Sequence, residues 1–493
     1  MTRRPLVFAA LILAALVAAH GSHSLAAAPP QSALQWAPCD DIPDVECATI
    51  EVPVDHANPD GPQIPLRLGR LPNTDPAQYR GTLLIIPGGP GPGIQIMLVD
   101  NGPAQHLDEV RRYYDVVTFD PRGIGRSNPV RCDPALVPSV TLPSADPLTR
   151  EQFEASARAN AAFLQSCFEL TGELMAHLTA KDTAADMERV RLALGQTDGL
   201  VAYGGSFGSA YGAAYLEDYG DHVKALVIDA VVDHSIDMPT FITRNILSVQ
   251  ASFDRFARWC AREPACALHG QDVGAAFDAA MAVRPLARQL VPQFLSAGND
   301  PDFGWALIAQ MLADVAAGDT TTLDEIADVL ARGNTVIAPG EDPTTIAGRG
   351  GLFLGVLCGE WGPQDDYDAV LAASATVARL APRFAWKYWS PTPQQHATAS
   401  VIGCAGWPIP AGDPPHPFRI GPQPNVLVAN PSYDPATPLI NALSVWLQIP
   451  EARLLIAEAD GHQSWIVSRC AFDAELGFLL DPASAPPTTI CPD

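Results

Sequence analysis

The fold of this chain is most clearly indicated by the stretch Gly199-Leu-Val-Ala-Tyr-Gly-Gly-Ser206-Phe-Gly208, which is followed by a helical pattern through Tyr219. Its first half is a short apolar run, and its second half has the pattern G-x-S-x-G around Ser206. A strand that reverses into a helix this quickly leaves the central residue strained, and small flanking residues avoid clashes. The stretch therefore predicts a strand, a tight turn that presents the Ser206 hydroxyl, and a helix.

Short β-rich runs alternate with helical stretches on both sides of this motif, and most of them end in turns rich in Gly, Pro or Asp. The runs are Ala48–Val54, Ile64–Leu71, Thr82–Ile86, Val116–Phe119, Gly199–Tyr203, Ala225–Asp229, Asn425–Ala429 and Arg453–Ala457. This alternation predicts an α/β fold with an eight-stranded, mostly parallel sheet and helices on both faces. Ligands bind such sheets at the carboxyl ends of the strands.

The alternation stops between about Ser235 and Pro424, where the pattern is helical and six of the nine tryptophans lie. We interpret this segment as a helical cap over the strand ends; the alternative is a separate helical domain packed elsewhere. The predicted organisation is a signal peptide at 1–28, a first core part at 29–235, a helical cap at 236–424 and a second core part at 425–493.

A nucleophilic serine needs a base, and the base needs an orienting acid. With this motif the acid and then the histidine follow the serine along the chain. His462 follows a late predicted strand, and Asp434 lies in the loop after the preceding strand, with Asp460 as the weaker alternative. We predict a catalytic triad of Ser206, Asp434 and His462; the alternatives are a surface histidine and a turn-forming aspartate.

A glycine run, Pro87-Gly-Gly-Pro-Gly-Pro-Gly93, follows the predicted strand Thr82–Ile86. Read alone, the run indicates only a loop. After a central strand, however, it lets backbone amides approach a substrate oxygen. Together with the triad it predicts an oxyanion hole formed by the amides of Gly89 and Phe207, the residue after the nucleophile.

The N-terminus and the cysteines both indicate export. Arg3 and Arg4 precede an apolar run from Leu6 to Ala19 that is too short to span a membrane comfortably, so we predict a cleaved signal peptide and a secreted or periplasmic protein. Ten cysteines in such a chain predict disulfides, although some could be free buried thiols. We pair near neighbours: Cys39 with Cys47, Cys132 with Cys167, Cys260 with Cys266, Cys358 with Cys404, and Cys470 with Cys491.

Composition excludes several other classes of protein. The net charge is −25 and no Lys/Arg-rich block is present, so we expect no nucleic-acid partner. No metal-binding spacing, nucleotide-binding glycine motif or later membrane-spanning run occurs, and we expect no cofactor, no metal and no membrane partner. The charged stretch from Asp120 to Ser127 predicts an ion-paired turn rather than catalysis.

Four motifs together resemble the secreted α/β-hydrolase exopeptidases, namely the tripeptidyl and prolyl aminopeptidases: Gly88–Gly91, Asp115–Ser127, Gly204–Gly208 and Tyr433–Pro438. The tail from Asn425 to Cys491 is similar to that of the tripeptidyl aminopeptidase branch. Pro87 stands where many prolyl aminopeptidases have histidine, and Phe207 where tyrosine is common. Neither change removes the amide of Gly89 or of Phe207, on which the predicted oxyanion hole depends.

The resemblance implies an α/β-hydrolase fold with a large cap, and a serine exopeptidase that releases N-terminal residues or short peptides through an acyl-enzyme. Its partners would be peptides with a free N-terminus, whose buried ammonium needs a carboxylate. Glu360 in Cys358-Gly-Glu-Trp361 matches a Cys-x-acid motif of the family; Asp365 and Asp366 are alternates, and a solvated surface glutamate is the other interpretation. A carboxylesterase or other small-molecule hydrolase with the same triad is the alternative function.

Overall fold

Ten strands form one sheet in the computed structural model, which describes residues 34–40, 42–98, 106–137, 147–283, 287–298, 304–325, 342–389 and 400–492. The strands are β1 Ala37–Pro38, β2 Glu46–Pro53, β3 Gln63–Leu71, β4 Gly81–Ile86, β5 Tyr114–Phe119, β6 Leu200–Gly205, β7 Val223–Asp229, β8 Val426–Tyr433, β9 Arg453–Asp460 and β10 Thr488–Cys491. Their order is β1-β2-β3-β5-β4-β6-β7-β8-β9-β10. The pairs β1–β2, β2–β3 and β3–β5 are antiparallel and the remaining pairs are parallel.

The predicted α/β class with a mostly parallel sheet is confirmed, but the number of strands is larger than predicted. All eight predicted strands are present, with bounds shifted by a few residues. The two additional strands, β1 and β10, lie at the two edges of the sheet and have 2 and 4 residues. Runs of that length carry no detectable periodicity, which is why the sequence did not indicate them.

The central strand β4 is buried on both faces because its successive residues enter different hydrophobic cores. In β4, Leu84 and Ile86 belong to one core, whereas Leu83 and Ile85 belong to the other. All four are at most 1% exposed. A parallel strand covered on both faces is a continuous apolar run, as the sequence of β4 is.

Fourteen described helices surround the sheet: α1 Gly93–Leu98, α2 Leu107–Val110, α3 Arg150–Thr171, α4 Ala180–Ala193, α5 Phe207–Tyr219, α6 Met238–Arg262, α7 Val273–Val283, α8 Ala287–Leu295, α9 Trp305–Ala316, α10 Pro343–Trp361, α11 Tyr367–Leu380, α12 Leu439–Trp446, α13 Ser464–Val467 and α14 Arg469–Leu480. Residues of α1, α2 and α14 pack in one core with the sheet. Residues of α4 and α5 pack in the other.

Helices α6 to α11 all lie between β7 and β8, and no strand occurs in the described part of that segment. Their buried residues, among them Phe253, Trp305 and Leu357, share the hydrophobic core of α4 and α5. The inserted helices therefore pack on the same side of the sheet as the helix that follows Ser206. The exact domain boundaries at 235 and 424 stay a prediction.

All ten cysteines lie at disulfide distance in the five predicted pairs. The bond between Cys358 and Cys404 joins the end of α10 to the segment that leads back to the sheet. Five disulfides indicate an oxidising compartment. The predicted signal peptide at 1–28 lies outside the described residues, and none of the described helices has the length and apolarity to cross a membrane.

The charged turn after β5 is held by ion pairs, as the sequence predicts. Asp120 is fully buried and accepts hydrogen bonds from the amides of Ile94 and Arg126. Arg122 is 1% exposed and binds both carboxylate oxygens of Asp186 in α4. This bidentate ion pair between Arg122 and Asp186 attaches the turn to helix α4.

Candidate active site

Ser206 occupies a strained turn between β6 and α5. Its φ is 58° and its ψ is −129°, a conformation that residues with a side chain rarely adopt. The turn is held by the Ser206 amide, which donates to the Asp229 carbonyl at 3.0 Å. Close packing also constrains it, since a Cβ on Gly208 would lie 2.4 Å from the Ile86 carbonyl oxygen. The predicted strand, turn and helix are all present.

The glycine run after β4 packs directly against this turn. A Cβ on Gly88 would lie 2.7 Å from the Gly205 carbonyl oxygen and 3.0 Å from Ser206 Cβ, so only glycine permits this approach. Gly89 and Phe207 line the same pocket as Ser206. Phe207 is the first residue of α5, so its amide has no acceptor within the helix, and no acceptor for the Gly89 amide occurs among the described residues. Both amides are available to an oxygen in the pocket.

Asp434 and His462 form a hydrogen-bonded pair beyond the ends of β8 and β9. Asp434 is fully buried, and its Oδ2 lies 2.7 Å from His462 Nδ1. Its Oδ1 accepts the amides of Ala436 at 2.8 Å and Thr437 at 2.9 Å, while Oδ2 also accepts the Thr437 hydroxyl at 2.9 Å. These donors fix the carboxylate so that it can only accept from the imidazole.

The alternative acid, Asp460, is engaged elsewhere. It makes a bidentate ion pair with Arg255 of α6, and its Oδ2 lies 2.6 Å from the guanidinium.

His462 has an environment suited to a base. Burial lowers the pKa of His462, but the charge and hydrogen bond of Asp434 and the charge of Asp229 outweigh that effect and raise it above its usual value. The ring nitrogen that faces away from Asp434 can therefore take up a proton.

Asp229, which the sequence analysis did not single out, connects the serine turn to the histidine loop. Its carbonyl accepts the Ser206 amide, while its carboxylate accepts the amides of Ser464 and Trp465 and the Tyr203 hydroxyl. Burial raises the pKa of Asp229, although these hydrogen bonds oppose the shift. The position at the end of β7 is visible in the sequence, but the contacts with residues after His462 are not.

The histidine loop also touches the serine turn and the inserted helices. Gly205 precedes Ser206 and Gln463 follows His462. These two residues are in contact, since a Cβ on Gly205 would lie 2.7 Å from Gln463 Oε1. The His462 amide donates to the Ser296 carbonyl just after α8, at 2.8 Å. Ser206, His462 and the cap segment therefore meet at one edge of the sheet.

A pocket with a cavity volume of about 170 Å³, partly open to solvent, is lined by Ser206. The core side of its wall comprises Gly89, Ser206, Phe207, Val232, Pro435, Ala436 and Thr437. The inserted segment contributes Phe241, Asn245, Val249, Pro292, Ser296, Phe353, Leu357 and Lys387. The pocket is thus built jointly by strand ends and inserted helices, mostly from apolar side chains.

Glu360 does not line this pocket. It lies one helical turn beyond Leu357, and Leu357 does line the pocket. It is 1% exposed, so the interpretation as a solvated surface glutamate is wrong. Its Oε1 accepts the Ala180 amide, and its Oε2 lies 3.1 Å from His234 Nε2 without hydrogen-bond alignment. Burial raises the pKa of Glu360 to about 7, although His234 and the Ala180 amide oppose the shift.

The alternates to Glu360 are both exposed and outside the pocket wall. Asp365 accepts the Gly406 amide, and Asp366 caps α11 by accepting the amides of Asp368 and Ala369. These contacts give each aspartate a local structural role.

The cluster of His234, Glu360 and Asp413, whose ligand atoms lie within 4.8 Å of one another, is the described group that could hold a metal ion.

The chain matches two family models. Residues 81–326 match the model described as alpha/beta hydrolase fold, and residues 390–491 match the model described as TAP-like protein. The first match contains the glycine run and Ser206, and the second contains Asp434 and His462.

Curated relatives extend the similarity over nearly the whole chain. A tripeptidyl aminopeptidase of Streptomyces lividans is 28% identical and the alignment covers 94% of this chain and 87% of the relative. Carboxylesterase B of Mycobacterium tuberculosis is 30% identical, over 91% of this chain and 86% of the relative. Serine protease Hip1 of Mycobacterium tuberculosis is 26% identical, and the alignment covers 93% of this chain and 91% of the relative. Relatives of this similarity carry both peptidase and esterase names.

Proposed function

Because the chain belongs to the α/β-hydrolase family and has a TAP-like C-terminal region, we propose that it is a serine exopeptidase that releases residues or short peptides from peptide N-termini. The observation that carries this proposal is the buried carboxylate of Glu360, one helical turn beyond the pocket wall that contains Leu357. A hydrolase of simple esters has no need of a buried acid there, whereas a peptide N-terminus brings an ammonium that requires one.

In the proposed mechanism Ser206 attacks the carbonyl carbon of the scissile bond while His462 takes the hydroxyl proton. Asp434 holds the imidazole and stabilises its charged form. The amides of Gly89 and Phe207 stabilise the oxyanion of the tetrahedral intermediate. His462 then donates its proton to the leaving amine, and the acyl-enzyme is hydrolysed by water through the reverse use of the same groups.

Acetylation of the substrate N-terminus tests the proposal directly. We expect free-amine peptides to be cleaved and their N-acetylated counterparts to be left intact, because acetylation removes the charge that Glu360 would bind. Aminoacyl, dipeptidyl and tripeptidyl chromogenic substrates, each with and without the acetyl group, would also give the length released. Equal cleavage of the two forms would contradict the exopeptidase proposal.

The Glu360→Gln variant should lose about 3–5 kcal/mol of transition-state stabilisation on free-amine peptides, since the substrate ammonium is then left without a buried partner. This corresponds to a decrease in kcat/KM of about 100- to 5,000-fold. Hydrolysis of a small neutral ester should change little. Asp366→Asn is the matched control, because asparagine also caps a helix and the residue is exposed. An equal loss on both substrates would argue against an ammonium site.

The raised pKa of Glu360 predicts how the preference for a free-amine peptide over a neutral ester depends on pH. A carboxyl with a pKa of about 7 becomes protonated, and therefore neutral, as the pH falls through 7. The ratio of kcat/KM for a free-amine peptide to that for a neutral ester should therefore fall below about pH 7. Dividing by the ester rate removes the titration of His462, which affects both substrates.

Carboxylesterase activity is the second candidate function, and the specific observation in its favour is the 30% identical relative named Carboxylesterase B. The triad and oxyanion hole proposed here could also hydrolyse esters. We further propose that the protein is exported, which accords with five disulfides and with the signal peptide predicted from the sequence.

A further inference from the structure

Lys387 is a buried lysine in the wall of the pocket that contains Ser206. It is 4% exposed, and its Nζ donates to Asn245 Oδ1 at 3.0 Å. The chain has only two other lysines, Lys181 and Lys224, whose side chains are about half exposed and which pair with aspartates. No carboxylate of the described residues lies within 4.0 Å of Lys387 Nζ. Lys387 therefore differs from the other lysines in burial and in pairing.

An ammonium in this position is incompletely compensated. One neutral amide oxygen satisfies one of its three donors and does not balance its charge. Burial lowers the pKa of Lys387 to about 8, which still leaves the side chain mostly protonated near neutral pH. Uncompensated buried charge costs folding free energy, and such groups concentrate at functional sites, where a ligand can supply the opposite charge.

Asn245 orients Lys387 relative to the catalytic loop. Its Nδ2 donates to the carbonyls of Pro435 at 3.2 Å and Ala436 at 2.7 Å, so its Oδ1 must face Lys387. Pro435 and Ala436 directly follow Asp434 and also line the pocket. The lysine is thus anchored to the loop that carries the triad acid, next to the place where the substrate has to lie.

Lys387 also contrasts with the rest of the pocket wall. The inserted segment contributes mainly apolar side chains, namely Phe241, Val249, Pro292, Phe353 and Leu357. A single cation in apolar surroundings attracts an anion more strongly than it would in water, because the local dielectric constant is low. A planar carboxylate accepts from an ammonium at hydrogen-bond distance and is the anion that peptides and acyl chains most commonly carry.

We propose that Lys387 binds a carboxylate of the substrate and thereby makes the pocket selective for acidic over neutral substrates. The inference rests on the proposed function, since it places the substrate over Ser206. The carboxylate has two possible sources with the same chemistry: an acidic side chain on the acyl side of the cleaved bond, or the free C-terminus of a short peptide.

The test compares matched substrates that differ only in one charge. Free-amine peptides carry Glu or Gln on the acyl side of the cleaved bond, each as a C-terminal acid and as a C-terminal amide. A second pair consists of 4-nitrophenyl esters with an anionic acyl chain, the monoester of glutaric acid, and with a neutral acyl chain, the valerate. With the wild type we expect kcat/KM to be about 10- to 100-fold higher for the acidic member, the usual effect of a hydrogen bond to a charged group.

The Lys387→Met variant should reduce this acid-to-neutral ratio to about one, because methionine replaces the unbranched stem of the lysine and removes its charge. Lys224→Met is the matched control and should leave the ratio unchanged, since Lys224 is exposed and paired with Asp198. A preference for Glu over Gln places the carboxylate on the acyl side, and a preference for the free acid over the amide places it at the C-terminus. A wild-type ratio near one in every pair, or an unchanged ratio in Lys387→Met, would overturn the inference.

Folding of the variant is measured by its Tm, which should change little, because removal of a buried charge offsets the loss of the hydrogen bond to Asn245. Should Lys387→Met fail to fold, Lys387→Gln provides the same comparison. The ester pair separates this inference from the proposed function. An anionic-ester preference that depends on Lys387 in a protein without peptidase activity would support the lysine site and contradict the exopeptidase. Peptidase activity without any preference for acidic substrates would support the exopeptidase and contradict the lysine site.

Discussion

The Ser206→Ala variant is expected to lose about a million-fold in kcat while it keeps its fold, because the nucleophile of a triad acts as a unit with its base. Alanine has a side chain of nearly the same bulk as serine, so the close contacts around the turn are preserved. The backbone bonds of the turn, including the one from the residue 206 amide to Asp229, do not involve the hydroxyl. Single-turnover and steady-state rates on a free-amine peptide measure the loss.

Two further measurements make this prediction specific to Ser206. A serine-directed phosphonate should label this residue alone, and the label should be located by peptide mapping. Ser484→Ala serves as the control, since Ser484 is exposed and lies outside the pocket. Residual activity of more than a few per cent in Ser206→Ala would show that another group is the nucleophile.

The Asp434→Asn variant should lose about 10⁴-fold in kcat, because the change imposes the wrong tautomer on the histidine. The asparagine oxygen can keep the two amide hydrogen bonds from Ala436 and Thr437. Its NH₂ group then faces His462 Nδ1, which has to become an acceptor. The proton consequently moves to the other ring nitrogen, and that nitrogen can no longer accept the Ser206 proton.

The pH profile of Asp434→Asn gives an independent measure of the same interaction. In the wild type the charge and hydrogen bond of Asp434 raise the pKa of His462, so the base is lost at a comparatively high pH. Removal of the charge should move the acidic limb of kcat/KM to lower pH. Thr437→Val is the matched control: it removes the hydroxyl bond to Asp434 but leaves the charge, and it should cause a much smaller loss. Similar losses in the two variants would contradict the assigned role of Asp434.

The sequence predicted those features that depend on local patterns and chain order. The turn around Ser206 and the order of Ser206, Asp434 and His462 rest on motifs whose geometry is largely set by glycine, by strand ends and by neighbouring residues. The same holds for the alternating strands, which are long enough to show their apolar pattern. Proximity in sequence was sufficient for the cysteine pairs because each cysteine is bonded to the cysteine next to it in the sequence.

Other features depend on contacts between distant segments, which one sequence does not reveal. Lys387 lies in the run Ala385-Trp-Lys-Tyr-Trp389, whose aromatic residues indicate burial. Nothing in that run indicates that no carboxylate of the described residues lies beside the lysine. The burial of Glu360 depends on α4, which supplies the Ala180 amide. Asp229 resembles any aspartate at a strand end until the histidine loop packs on it.

The position of the inserted helices between β7 and β8 has a consequence for how the enzyme is made. These strands are neighbours in the sheet, yet the ribosome delivers the whole insertion between them. Synthesis is vectorial, so the nascent chain contains the serine and the glycine run long before the aspartate and histidine emerge. Until then the predicted nucleophile, Ser206, has no base, and we expect the growing polypeptide to be inactive. If the predicted triad is correct, a translation product that ends before β8 contains the turn around Ser206 but neither Asp434 nor His462, and it should have no hydrolytic activity.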